Sequence, residues 1–360
     1  MDTTAEDIYF DENGWCNYCA DFLARMKGGV LGEGQKELAL QDLIEKIKND
    51  GRSKKYDCVI GLSGGADSSY VLHLAKHWGL RPLAVHMDNG WNSELAQNNI
   101  EHLVRKLEVD LYVHVIDWRE YRKLMQAFFD ADVIDVELLY DNAMLAVNYQ
   151  LAAKYGVKYI LSGCNLATEG MKIPKNWNWF KLDKRNIKVL AARGRVQIKS
   201  FPIIGLISYL YYRVFKKIQW VHVLDYVHYN KAESMSLLGR LYGFKSYPYK
   251  HYESVFTRFY QGYLLPQKFG VDKRKVHLST LIMSGQMERE VALVKMKENP
   301  YDSIQALDQD REYFLKKMKW RSSDLDAYLQ RPEVPHDHYA SEASYVKQLK
   351  FLWKSLRGGG

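Results

Sequence analysis

Leu62-Ser63-Gly64-Gly65-Ala66-Asp67-Ser68-Ser69-Tyr70 follows a largely apolar run, Tyr56 to Gly61, and leads into Tyr70-Val71-Leu72-His73-Leu74-Ala75. The first run has strand character and the second reads as a helix, so the stretch predicts a strand, a tight glycine turn and a helix start. That combination is a phosphate cradle. Two glycines let the backbone approach an anion closely, and the helix N-terminus presents free N–H groups and the positive end of its dipole. Ser63, Ser68 and Ser69 add hydroxyl donors. The P-loop of kinases and GTPases requires a Lys just before its final Ser/Thr. No Lys lies between Lys55 and Lys76, so this is a different loop.

The rest of the chain is consistent with a globular nucleotide-using enzyme. Its 360 residues suffice for one large or two ordinary domains. With 47% hydrophobic and 26% charged residues and only 8 Pro, no tract has the composition of disorder. A net charge of +8 suits nucleotide and sugar-nucleotide phosphates as well as nucleic acid. The basic residues occur only in short clusters such as Arg52-Ser53-Lys54-Lys55 and Lys273-Arg274-Lys275, which argues against a nucleic-acid partner. Four Cys argue against a disulfide framework and for a reducing compartment. The N-terminus lacks the order of a signal peptide. The longest apolar segment, Phe201 to Phe215, is too short to span a bilayer and contains Arg213, so no transmembrane segment is expected. The expected location is the cytoplasm, with room for contact with a membrane surface.

Short apolar strands at 56–61, 82–87, 111–116 and 158–161 alternate with helices, which implies a parallel sheet covered on both faces. Gln35 to Asp50 reads as an amphipathic helix, and another runs from Ser93, a candidate N-cap, to Leu107. In such sheets ligands bind beyond the carboxyl ends of the strands. Asp88 and Asn89, after the second strand, are placed either to hold adenosine or Mg²⁺ or to build an Asp-Asn-Gly turn. Gly163, Asn165, Thr168 and Glu169 follow the fourth strand. Gly163 admits a nucleotide to the backbone; Glu169 either binds Mg²⁺, orients an amine, or is a solvated loop carboxylate.

Beyond about 171 the strand–helix rhythm fades. The Trp- and Lys-rich stretch 171–200 suits a mobile substrate loop or partner surface, and 199–265 reads as aromatic helices, with Pro266 stopping the last. Lys273 and Arg274, ahead of a further helix, either receive a phosphate or form a solvent-facing basic turn. Charged helices fill 285–354, and Gly358-Gly359-Gly360 is expected to be disordered. Near the start, Cys16 and Cys19 have the Cys-x-x-Cys spacing of half a tetrahedral zinc site, or are two idle thiols.

Ser63-Gly64-Gly65-x-Asp67-Ser68 resembles the PP-loop of the ATP pyrophosphatase superfamily, whose members split ATP into AMP and pyrophosphate. The likeness is closer still in four strings: Phe10-Asp11-Glu12-x-Gly14-x-Cys16-x-Tyr18-Cys19, Gly61-x-Ser63-Gly64-Gly65-x-Asp67-Ser68-Ser69, His86-x-Asp88-Asn89-Gly90-Trp91-Asn92 and His251-Tyr252-Glu253-Ser254-x-Phe256-Thr257-Arg258-Phe259-Tyr260-Gln261-Gly262. Together they resemble the N-acetyl sugar amidotransferase (WbpG/PseA-like) family. That resemblance implies an α/β fold: a parallel-sheet PP-loop domain, adenine nucleotide alpha hydrolase-like, followed by a mainly helical C-terminal region. The expected divisions are a zinc-ribbon-like half at 1–34, the ATP-binding domain at 35–200 and an aromatic substrate or partner region at 201–360.

The resemblance further implies ATP-dependent conversion of the acetamido group of a nucleotide-linked N-acetyl sugar to an acetamidino group, for lipopolysaccharide O-antigen or related glycans. Ser63, Gly64, Gly65, Asp67, Ser68 and Ser69 then bind pyrophosphate, Asp67 through Mg²⁺. Asp88, Asn89, Gly163 and Asn165 frame the adenosine, and Glu169, Lys273 and Arg274 assist. Ammonia is expected from a separate glutaminase (HisH-like) and a cyclase-like (HisF-like) barrel, because the sequence holds no glutaminase nucleophile in a recognisable setting. Family members carry a further Cys-x-x-Cys upstream of the segment corresponding to Met1, so a Zn²⁺ site on Cys16 and Cys19 is expected to be incomplete here. The rival expectation is a tRNA-modifying sulfur-transfer enzyme of the same superfamily.

Overall fold

The computed structural model describes residues 1–29, 33–247 and 252–345. His251 of the fourth motif and the Gly358-Gly359-Gly360 end lie outside the described residues. Five strands, β1 (Cys58–Gly61), β2 (Pro82–Asp88), β3 (Asp110–Val115), β4 (Tyr159–Ser162) and β5 (Gln219–His222), form one sheet in the order β3-β2-β1-β4-β5. Every neighbouring pair is parallel. The α/β parallel-sheet expectation holds.

The fifth strand does not appear in the sequence reading, which expected helices there. Gln219–His222 is four residues at an edge, with exposed ends and no apolar alternation, so nothing local marks it as a strand. Its pairing with β4 alone makes it one.

The chain opens with α1 (Asn17–Gly29) and α2 (Glu33–Gly51). Between the strands run α3 (Ala66–His77), α4 (Glu94–Leu107), α5 (Trp118–Asp130) and α6 (Leu138–Lys154). After β4 come α7 (Leu166–Glu169), α8 (Lys184–Arg193) and α9 (Leu206–Leu210), and after β5 comes α10 (Lys231–Tyr242). The C-terminal part is helical: α11 (Val255–Phe259), α12 (Leu265–Phe269), α13 (Arg274–Met283), α14 (Arg289–Lys297), α15 (Ile304–Met318) and α16 (Ser322–Gln330).

Period-two alternation along the strands feeds two cores. Cys58, Ile60, Ala84 and Leu161 pack with Val71, Leu72, Ile100 and Leu238 on one face. Val59, Leu83, Val85, Met87 and Ile160 pack with α5, α6 and the C-terminal helices on the other. The C-terminal helices thus complete the sheet's second face rather than form a detached body.

Two local expectations change. Pro266 does not stop the aromatic helix: a π-turn over Tyr260–Leu264 joins α11 to α12, Pro266 sits in the first turn of α12, and the helix ends at Gly270 with φ +64°. A π-turn already interrupts the ladder whose donor proline lacks, so the ring is tolerated there. The Trp-rich stretch 171–200 is packed rather than a mobile loop. Trp177 is buried, Trp179 stacks on His336 at 5.0 Å, and Lys181 bridges Asp135 (2.6 Å) and Asp141 (2.9 Å).

Buried His336 shows how tightly this packing holds a titratable group. Its Nε2 accepts from the Asp135 N–H at 3.1 Å, and its Nδ1 is 2.9 Å from the Asn186 carbonyl, to which it donates. Both nitrogens are committed in the neutral ring, and burial pushes the pKa down to about 4 from 6.5. A depressed histidine is protonated more readily unfolded than folded, so it subtracts stability as pH falls below about 6.5, levelling off near 4. We expect urea unfolding midpoints to drop across that window by an amount equivalent to about 3 kcal/mol, and His336→Gln to flatten the drop. A midpoint just as pH-sensitive in the variant would assign the effect elsewhere.

Candidate active site

The glycine loop leaves β1 at the centre of the sheet. The chain runs outward from β1 to β2 and β3, then returns to place β4 on the other side of β1. The crevice between the β1 and β4 loops is therefore the topological switch point where such sheets bind ligands. Leu62 N–H bonds Val85 O at 2.7 Å, anchoring the loop. Gly64 follows with φ +86°, and a side chain on it would come within 2.8 Å of Ala96 O. Ser63 and Ser68 hydroxyls lie 3.2 Å apart, and Gly65 N–H donates to Ser63 Oγ at 3.2 Å.

Helix α3 then starts at Gly65 with no side-chain cap. It shares this with α6, α9, α12, α13 and α14, whereas α4, α5, α7, α8, α10 and α11 are each capped by the oxygen of a Ser, Asp or Asn. The first-turn N–H groups of α3 are thus left for an anion.

This loop opens on a cavity of about 640 Å³. On one side it is lined by Ser63, Gly65, Asp67 and Ser68 and by Gly163, Thr168 and Glu169. On the other it is lined by residues from the C-terminal helices: Glu253, Thr257, Arg258, Gln261, Lys273, Arg274, His277 and Lys295. An apolar recess between them is made by Val85, Met87, Met144, Val147 and Leu161. Asn148 lines it too, and its buried Oδ1 has no hydrogen-bond partner in the chain. An acceptor held that way in an apolar wall suits an N–H donor of a bound group.

Not every residue singled out from the sequence faces this cavity. Ser69 is fully buried, its hydroxyl without a partner, on the inner side of α3. Gly64 shapes the loop by close packing. Gly163 lies on the cavity wall, but its lack of a side chain is required by α3: a Cβ would stand 2.8 Å from Ser68 N. Asn165 is buried as the cap of α7, accepting from Thr168 N–H at 2.8 Å and donating to Gly163 O at 2.9 Å.

Asp88 and Asn89 build a turn outside the cavity wall, accepting from Gly90 N–H (2.8 Å) and Trp91 N–H (3.0 Å). Of the two readings open for them, these hydrogen bonds are those of the Asp-Asn-Gly turn. Their motif serves the site at one remove. Asn92 donates to Asp88 at 3.2 Å and pairs with Ser254 in an isolated antiparallel bridge, with Ser93 N–H bonded to Glu253 O (2.9 Å) and Val255 N–H to Trp91 O (2.9 Å). The described parts of the two strings, 86–92 and 252–262, therefore hold each other, and this seats Glu253 against the glycine loop.

The expected cations arrive already engaged. Lys273 Nζ lies 2.8 Å from Glu137 Oε2, and Gln261 donates to the same carboxylate. Burial alone would raise the Glu137 carboxyl; Lys273 and Gln261 hold it below the usual carboxylate range. Arg274 is gripped by Asp272 (2.8 Å) and donates to the Glu298 carbonyl at 2.9 Å. Both are wall residues with fixed geometry.

The sequence reading missed two residues at the loop, Tyr229 and Lys231. Tyr229 OH donates to Asp67, 162 positions away in the chain. Burial and the Asp67 charge push its phenol far above the ordinary value. Lys231, at the start of α10, reaches the cavity with Nζ 4.0 Å from Asp67 Oδ2. It brings to this loop the cation that a P-loop carries within its own sequence. Tyr247 OH donates to Gly64 O at 2.9 Å and ties the loop to the same half of the chain. Only the Asn230 cap hints at α10 in the sequence.

Asp67 and Glu169 supply cavity carboxylates fit for Mg²⁺, a hard cation that takes oxygen ligands. Zinc does not fit in the same way. Cys16 and Cys19 lie 3.4 Å apart, and burial with the neighbouring sulfur pushes the Cys19 thiol up to about 11. No group of three or more His, Cys, Asp or Glu that could hold a metal occurs among the described residues. Two donors are half a tetrahedral set.

A central glycine loop, a helix start without a side-chain cap and a cavity at the switch point together make a candidate anion site in a parallel α/β sheet domain. Residues 253–353 match the family described as "LPS biosynthesis protein WbpG-like, C-terminal domain". The described part of that match, residues 253–345, contributes helices that pack on the second face of the sheet.

Among curated proteins, it is 28% identical over 149 residues to an uncharacterized protein of Methanocaldococcus jannaschii, MJ1599, covering 41% of this chain and 51% of that protein. The alignment thus spans about half the length of that relative. Similar solved structures include an NMN synthetase from Francisella tularensis (15% identity; 62% of this chain, 100% of that one; TM-score 0.30). An NH3-dependent NAD synthetase from Campylobacter jejuni is comparable (14%; 58% and 93%; TM-score 0.30). So is a predicted subunit of tRNA methyltransferase from M. jannaschii (16%; 51% and 75%; TM-score 0.30). At that score these three likenesses decide neither fold nor function.

Proposed function

We propose that this protein is the synthetase component of an ATP-dependent, AMP- and pyrophosphate-forming sugar amidotransferase. One observation carries the reading: the glycine loop and the WbpG-like C-terminal domain line the same cavity, whose volume of about 640 Å³ has room for more than a nucleotide's phosphates. The substrate is a nucleotide-linked N-acetyl sugar, in the biosynthesis of lipopolysaccharide or a related glycan.

An amide oxygen is a poor leaving group, so ammonia cannot displace it directly. The acetamido oxygen attacks the α-phosphorus of ATP, the bond to pyrophosphate breaks, and an O-adenylated imidate forms. Ammonia adds to its carbon, the C–O bond breaks with AMP leaving, and loss of a proton gives the amidine. The chain's part is positioning and charge stabilisation.

Ser63, Ser68 and the first-turn N–H groups of α3 bind the departing pyrophosphate, with Lys231 beside them. Asp67 and Glu169 hold Mg²⁺, which when bound offsets phosphate charge. The Asn148 carbonyl receives an N–H of the base. Glu253, against the loop, and Lys273 and Arg274, fixed by their acidic partners, face the sugar-nucleotide half. Ammonia comes from separate glutaminase (HisH-like) and cyclase-like (HisF-like) subunits.

The test is pyrophosphate release from ATP with an ammonium salt and UDP- or CMP-linked acetamido sugars, with mass spectrometry of the product. We expect release that requires both the sugar nucleotide and ammonium. Release driven instead by tRNA and a sulfur donor, with none from any sugar nucleotide, would replace this reading with the tRNA-modifying one.

A further inference from the structure

Helix α9 continues without a break into a π-turn over Tyr211–Phe215. Its inner side is anchored by Tyr209 and Tyr212, whose rings lie 5.6 and 5.5 Å from buried Tyr149. Its outer side is apolar and open: Ile207, Leu210, Tyr211, Val214 and Phe215 are 85%, 45%, 45%, 60% and 76% exposed. Those positions follow the spacing i, i+3, i+4, i+7, i+8 and form one stripe. The Tyr211 and Phe215 rings stack at 5.9 Å, making the stripe continuous at its C-terminal end. Scattered exposed apolar residues need no explanation, but a contiguous patch bordered by charge marks a docking surface.

The charge on its border identifies the occupant. Lys216 and Lys217 follow the stripe, and no acid occurs between 206 and 217; Arg213 is held on the inner side, bonded to Tyr149 and donating to Ile218 O at 3.4 Å. Lys216 Nζ lies 5.8 Å from the centroid of the Tyr211 ring, so its charge borders the apolar face. Glu342 accepts from the Leu206 N–H at 2.6 Å, at the opposite end of the helix. A second copy of this stripe would offer the cations no acidic partner from the same segment, whereas an anionic surface would. Aliphatic and aromatic anchors beside lysines are instead the pattern of a helix lying in the plane of an anionic bilayer. No described helix is long and apolar enough to cross a membrane, so the contact is with its surface.

We propose that the stripe Ile207–Phe215, with Lys216 and Lys217, rests this protein on the surface of an anionic lipid membrane. The attachment is shallow and reversible, because five side chains on a short helix bury little area. It is also salt-sensitive, because the cations act over a Debye length. The proposal is independent of the reaction assigned to the cavity.

The full chain would be sedimented with phosphatidylcholine vesicles and with vesicles containing roughly one-third phosphatidylglycerol. We expect binding to the anionic vesicles alone. Lys216→Gln with Lys217→Gln is expected to weaken it about 25-fold, at about fivefold per charge. Ile207→Ser with Phe215→Ser is expected to weaken it about tenfold or more. These side chains point outward, so unchanged circular dichroism would verify the fold. Equal binding to both vesicle types, binding to neither, or variants that bind as the parent does would each overturn the proposal. So would loss of a dimer on Ile207→Ser with Phe215→Ser, measured by light scattering, without vesicle binding by the parent.

Discussion

Replacing Lys231 by methionine is expected to lower kcat/KM for ATP-dependent pyrophosphate release about 10²- to 10³-fold, the range seen when one preorganised donor to a developing anion is removed. The loop itself carries no lysine, and the two cations expected from the sequence, Lys273 and Arg274, are engaged by Glu137 and Asp272. Among the described residues, Lys231 stands at the cavity with a long 4.0 Å pairing to Asp67. A pairing that long contributes little to folding, about 0–1 kcal/mol, so the thermal midpoint should barely move. Activity and stability are thereby separated. The loss should fall on kcat as well as KM, because pyrophosphate gains charge as it leaves. Arginine at this position should recover part of the rate. A variant with unchanged kcat/KM would remove Lys231 from the site and leave the uncapped start of α3 as the principal phosphate binder.

Replacing Asp310 by leucine should be the most destabilising single change. Arg258, in the motif shared with the cavity wall, donates to both carboxylate oxygens of Asp310, and Tyr301 OH donates to one of them at 3.0 Å. The Arg258 guanidinium also lies 4.8 Å from the Tyr252 ring. Asp310 is buried, so its loss strands a desolvated cation at a cost of about 3–5 kcal/mol. The urea midpoint should fall accordingly. Arg258→Met combined with Asp310→Leu should recover part of it, because no charge is then left unpaired and only the buried Tyr301 hydroxyl has lost its acceptor. A double variant no more stable than Asp310→Leu alone would mean that packing, rather than a stranded charge, sets the loss.

Much of the fold was legible in the chain because its signals are local. Short apolar runs alternating with helices marked β1, β2, β3 and β4, and Ser93 marked the start of α4, where it accepts from Ala96 N–H at 3.2 Å. β5 was not legible, since a four-residue edge strand is defined by its partner and not by its own pattern. The WbpG-like match at 253–353 agrees with the string read from Tyr252 to Gly262.

At the site the division is sharper. Ser63, Gly65, Asp67, Ser68, Gly163, Glu169, Lys273 and Arg274 all line the cavity. Asp88, Asn89 and Asn165 resemble ligand residues in composition but spend their oxygens on turns and a helix cap. Short polar side chains do both jobs, and only the position of neighbouring N–H groups tells which.

By itself the sequence determined that a phosphate-binding turn sits between a buried strand and a helix, because glycine and serine at those spacings dictate local backbone and donor placement. It also determined that the sheet is parallel, because strands alternating with helices have no other compact arrangement. Tertiary structure alone decided which cation stands near the loop, which carboxylates face the cavity, and that the segments 86–93 and 252–262 clasp each other. Those are contacts between residues far apart in the chain. Their partners are selected by how α10 and the C-terminal helices pack on the sheet, and no local pattern encodes that packing.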